Sequence, residues 1–189
     1  FAVPTWSWFD NEPWSELLTK IIELNRELKD SEKIRVVSIS LGAFSERVNF
    51  SLWQEAVNKA ERHGILVMTC DPTFLKIGTL RHIEGKSREE PSNYERGRYF
   101  HPRAVIWVPA ANRTIANQRG RDAYAYDRMG GMSWTVPYLA GLAAMSYQVD
   151  PKIEPRQIVE LWLKTAVKTD VGSIINPTGF IEEVRRRKS

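Results

Sequence analysis

A single cysteine, Cys70, stands in 189 residues, so no internal disulfide can form. Histidine is almost as scarce. Only His63, His82 and His101 are present, which leaves few candidates for a proton-transferring base and no Cys/His cluster at metal-ligand spacing. No acidic pair has the spacing of a calcium loop, so neither a metal nor a cofactor is expected. No apolar run approaches the roughly twenty residues that cross a bilayer, and no charged-then-apolar leader opens the chain at Phe1. Charge of one sign is also lacking: 27 basic against 23 acidic residues leave +4. Part of that excess is the run Arg185 to Lys188, which reads as a solvated helix end complementing the helix dipole, so no nucleic-acid partner is expected.

Hydrophobic content of 42%, with 7 Trp, is enough to bury one substantial core, and residues 1–189 read as one domain without repeats or low-complexity tracts. Phe1 to Val3 has the character of a strand tail, ended by Pro4. Leu17, Leu18, Ile21, Ile22, Leu24 and Leu28 recur at helical spacing over 15–28, and Leu52, Trp53, Ala56, Val57 and Ala60 do so over 51–63, with Gly64 as the stop. The β-branched stretch 34–41 and the near-continuous apolar stretch 65–70 read as strands, the second covered on both faces. Strand, helix and strand in this order predict a crossover unit and hence a parallel sheet.

From Asp71 to Pro102 the chain turns rich in Arg, Glu, Gly and Pro, which predicts a mobile surface excursion. A short buried strand is expected at 104–108, a polar loop over 112–128, a helix from Pro155 to about Val167 with Ile158, Leu161, Trp162 and Leu163 inward, and a last helix ending near Arg187. The predicted architecture is a three-layer α/β sandwich with a mainly parallel sheet.

The stretch with the most chemical content is 130–145. Gly130 and Gly131 precede Ser133, and the residues that follow stay small and apolar, so a tight loop feeds a buried helix with Ser133 in its first turn. Free backbone N–H groups and the positive end of the helix dipole then favour negative charge near the hydroxyl. Pro137 is expected in the first turn, where proline loses no hydrogen bond, and Ala140 with Gly141 is expected to let another backbone pack close.

Gly131, Ser133, Pro137, Ala140 and Gly141 resemble the serine signature of the subtilisin-like serine proteases (subtilases), with Met132 where that family has Thr. Further landmarks are similar in order: Phe1 to Val3, Ser38 to Gly42, His63 to Cys70, His101 to Ile106, and Ile175 to Pro177. The resemblance implies a subtilisin-like fold and Ser133 as the nucleophile of peptide-bond hydrolysis. It also implies Ser40, Leu41 and Gly42 as a strand edge that pairs with a peptide or protein substrate.

In that family the order is Asp, His, Ser, so the base and its orienter are expected in sequence upstream of Phe1 as a missing N-terminal segment of the same protease. None of the three histidines lies in the family's His-Gly-Thr-His setting. Thr73 falls where the oxyanion-hole Asn is expected, and loss of one such donor costs about 2.7 to 4 kcal/mol of transition-state stabilisation. The interval from Asn112 to Gly131 is also shorter than the family's. These departures keep open a second reading, a catalytically inactive subtilase-like pseudoprotease that binds or regulates. A small α/β binding domain unrelated to subtilases is a third.

Overall fold

Two short parallel strands divide the packing of the chain. The computed structural model describes residues 9–71 and 75–188; the strand expected at Phe1 to Val3 and the candidate Thr73 lie outside the described residues. Strand β1 (Val36–Ile39) pairs in parallel with β2 (Leu66–Thr69), Val36 opposite Leu66. Side chains alternate across a strand, so neighbours in β2 go to opposite layers. Ile65 and Val67 join a core with α1 (Glu12–Glu27) and α2 (Phe50–Arg62), built on Leu18, Ile22 and Trp53 stacked 4.4 Å from Phe44. Leu66 and Met68 face the other way, onto α3 (Met132–Val149), α4 (Pro155–Thr165) and α5 (Pro177–Lys188), with Val136, Leu139, Trp162 and Phe180 at the centre. Helices on both faces of strands give the three-layer α/β arrangement.

The remaining strands revise three expectations. Within the stretch expected to be a mobile excursion, residues 75–102 contribute β3 (Ile77–His82), five of whose six residues are buried, and β4 (Tyr94–Phe100). With β5 (Ile106–Ala111), β8 (Val167–Thr169) and β9 (Gly172–Ile174) they form one sheet in the order β4-β3-β5-β9-β8. That sheet is mixed, so the mainly parallel arrangement is met only in part. β3, β5 and β9 run parallel, whereas β4 and β8 are antiparallel to their neighbours, because each is joined to its partner by a hairpin connection. Ile106 and Val108 face α3, while Leu80, Trp107 and Ile174 form a smaller cluster on the opposite face. The polar loop expected over 112–128 is likewise a hairpin, β6 (Arg113–Ala116) with β7 (Tyr124–Asp127).

Smaller differences have local causes. Leu24, Leu52 and Leu163 sit at the margins of their apolar stripes and are exposed. Pro155 begins α4 as expected, reinforced by a reciprocal capping box between Glu154 and Gln157. The basic run closes α5, where Lys188 donates to the Val149 carbonyl.

Candidate functional site

Ser133 is carried to the surface by a loop that only glycine can form. Gly130 has φ +64°, and a Cβ there would lie 2.7 Å from the Ala110 carbonyl carbon. Asp127 Oδ1 accepts from the N–H groups of Met129 and Gly130, which fixes the approach to α3. Gly131 is the residue before the helix, and Ser133 lies exposed in the first turn. The N-cap residue, Gly131, supplies no side-chain cap. In that turn the Ser133 N–H has no intrahelical acceptor, so it remains available to a developing negative charge.

Pro137 lies in the helix interior, not in the first turn, so its absent N–H matters. The bond it cannot make is the one to the Ser133 carbonyl, four residues earlier. Ser40, just beyond β1, takes that carbonyl: its hydroxyl donates to Ser133 O at 3.0 Å, and the Ser133 hydroxyl donates back to Ser40 O at 3.3 Å. Two serines 93 positions apart are thereby held in a reciprocal clamp.

The neighbouring residues define one wall. The Leu41 carbonyl accepts from the Cys70 N–H at 2.8 Å, and the Gly42 carbonyl accepts from Arg47 Nη2 at 2.9 Å. Arg47 also lies over the Phe44 ring at 4.5 Å. Asp71 is buried, and its Oδ2 accepts from both the N–H and the hydroxyl of Ser45. This carboxylate anchors the loop after β1. Cys70 is only half-buried at the end of β2; burial pushes its thiol up, against the opposing effect of the Ser133 side chain. Ser133, Ser40, Leu41 and Gly42 therefore come together at the carboxyl ends of β1 and β2. Cys70, Arg47 and Asp71 join them without having been singled out by any pattern in the sequence.

The three histidines lie elsewhere. His63 caps the C-terminus of α2, before β2 begins, and the turn at Gly64 and five residues of extended chain, on the order of 17 Å, separate it from Cys70. The N–H of His101 bonds Ile77 O at the start of β3, at the opposite end of the sheet from Gly130. His82 is buried beside Tyr94 with Nε2 lacking a partner, on the same strand face as Leu80, away from α3. Among the described residues no three His, Cys, Asp or Glu converge on a metal-sized site, and no helix is long and apolar enough to cross a membrane. A cleft between α1 and α2, lined by Glu16, Lys20, Glu55 and Lys59, lies away from Ser133.

No family model and no curated protein matches the chain. Solved structures do. The subtilase cytotoxin SubAB assembly contains a chain with TM-score 0.70 and 13% identity, covering 94% of this chain and 66% of that one. The self-cleaved protease domain of PatA gives TM-score 0.58 at 14% identity, covering 92% and 68%. Fervidolysin from Fervidobacterium pennivorans, a keratinolytic enzyme related to subtilisin, gives TM-score 0.58 at 14% identity, covering 88% and 28%. The chain thus spans about two thirds of the toxin chain's length. At this identity the likeness establishes architecture: the chain has a subtilisin-like α/β fold.

Proposed function

We propose that Ser133 is the nucleophile of a serine endopeptidase and that its base and orienting carboxylate come from sequence preceding Phe1 in the same polypeptide. The observation that carries this reading is the placement of an exposed, clamped serine in the first turn of a buried helix, beside the strand edge Ser40 to Gly42. A hydroxyl needs a base to become nucleophilic, and no described histidine is near it. α3 nevertheless has an apolar surface ready for a further element: Pro137, Gly141, Ala144 and Met145 are exposed on an otherwise buried helix. Gly141 was expected to admit a close backbone, yet among the described residues nothing outside its own stretch of helix lies within 4 Å of the Cβ it would carry. A base-bearing segment seated there would reach the Ser133 end of the helix. Substrate binds by adding a strand at Ser40 to Gly42, displacing the Ser133 hydroxyl from the Ser40 carbonyl and freeing it to attack. The Ser133 N–H, with Thr73 as candidate partner, receives the oxyanion.

The alternative, a subtilase-like pseudoprotease that binds peptide without cutting it, is favoured by Thr73 standing where the family places Asn. Cleavage of an unfolded protein substrate by the polypeptide extended through its upstream sequence decides between them. The protease reading predicts cleavage that disappears in Ser133→Ala; binding without cleavage supports the pseudoprotease.

A further inference from the structure

β4 ends the five-stranded sheet, and among the described residues no strand pairs with its outer edge. An uncovered edge offers a row of N–H and C=O groups to another extended chain. Arg96 and Arg98 of this strand, Arg81 of β3 and Arg128 of the loop entering α3 line one cleft of about 320 Å3. Gly97, Ala111 and Met129 complete the lining, so no carboxylate faces it. Arg81 pairs with Glu95 at 2.6 Å and Arg128 with Glu84 at 3.7 Å, all four side chains being about half exposed or more. Exposed pairs of this kind are worth at most about 1 kcal/mol, so an incoming carboxylate can exchange for them. Arg96 lies over the Trp107 ring at 4.9 Å and Arg98 over Tyr99 at 5.6 Å. Stacking steadies a guanidinium while leaving N–H groups open to an incoming acceptor; Arg96 uses its Nε–H on the Val171 carbonyl at 3.3 Å, which leaves its two Nη groups.

We propose that this edge and cleft bind an extended acidic peptide segment, its backbone pairing with β4 and its carboxylates entering among the four arginines. Arginines that only guard a strand edge against aggregation need to sit on that strand. Here two of the four arrive from other elements and converge on the same space. A nucleic acid would use the charge but gain nothing from the strand edge. Met129 belongs both to the cleft and to the loop that enters α3, the helix whose first turn carries Ser133.

The test is fluorescence anisotropy on the Ser133→Ala protein, so that binding is read without hydrolysis and is separate from the outcome for the proposed activity. The probes are a labelled peptide alternating Glu and Val, its Lys-Val counterpart, an N-methylated Glu-Val peptide, and a single-stranded oligonucleotide of equal charge. The Glu-Val peptide is expected to bind, more weakly as salt rises, and the Lys-Val peptide not to bind. Arg98→Gln with Arg128→Gln is expected to weaken binding about tenfold with an unchanged circular dichroism spectrum, and Arg98→Gln alone by less. N-methylation, which removes the backbone donors, is expected to weaken it severalfold. The proposal is overturned if the Glu-Val peptide does not bind, if neither arginine variant changes its affinity, if N-methylation has no effect, or if the oligonucleotide binds more tightly.

Discussion

A proline in the second turn of a helix ordinarily leaves a carbonyl without its donor, and at Ser133 that deficit is met by a side chain from another layer of the fold. Pro137 withholds the N–H, and the Ser40 hydroxyl supplies the missing hydrogen. The prediction is a non-additive pair. Ser40→Ala alone should destabilise the protein by about 0.5–1.5 kcal/mol in urea denaturation, the net worth of one hydrogen bond. In a Pro137→Ala background the restored N–H takes the Ser133 carbonyl, and the same change should cost much less. Equal costs in the two backgrounds would show that the clamp is not coupled to the proline. The loop and helix around Ser133 were legible because two glycines precede it and small apolar residues follow, whereas Ser40 to Gly42 stood out only through the resemblance to subtilases. Cys70, Arg47 and Asp71 were not legible, since no local pattern states that the end of β2 meets the start of α3.

Among the elements, α1, α2, β2 and α3 carry strong one-face or all-apolar patterns and stand close to where periodicity puts them. β3 was missed because its buried run, Ile77 to Leu80, is short and lies among Arg, Glu and Pro, while its small residue, Gly78, is a packing device. A Cβ on Gly78 would fall 2.3 Å from the Trp107 ring. Gly78→Ala should therefore cost about 1–3 kcal/mol, as overpacking does. In a mobile surface excursion the same change would stay within about 0.5 kcal/mol. Urea unfolding of the two proteins measures the difference. On α5, hydrogen bonds from Arg186 and then Lys164 hold Glu183 down to about 2, from an ordinary 4.5. A carboxylate depressed in the folded state stabilises above its unfolded value and loses that contribution as pH falls through the folded one. The gap in thermal midpoint between wild type and Glu183→Gln should be full above about pH 4.5 and close towards pH 2. A gap that persists unchanged at the acid end would remove the ion pair as its cause.

Among the described residues the two larger cores lie back to back across β1 and β2, with α3 spanning from the short parallel pair to the five-stranded sheet. The fold class was legible because strand-helix-strand spacing implies a layered α/β arrangement; the mixed sheet was not, because its antiparallel members sit in charged, irregular sequence. The exposed apolar face of α3 gives the proposed activity a mechanical test. Gly141→Leu, facing open space in this chain, should leave its own fold intact by circular dichroism. In the polypeptide extended upstream it should lower proteolysis by at least about tenfold, because a bulky side chain displaces an element that must be positioned closely for catalysis. Undiminished proteolysis would place the base-bearing segment elsewhere. The central claim, that Ser133 is a nucleophile activated by groups preceding Phe1, is tested most directly by labelling with a fluorescent fluorophosphonate, read on a denaturing gel. Such a probe captures a serine only where a base and an oxyanion site have activated it. Labelling of the extended polypeptide, none of its Ser133→Ala variant and none of this chain alone is the predicted result; a folded extended polypeptide that stays dark would contradict it.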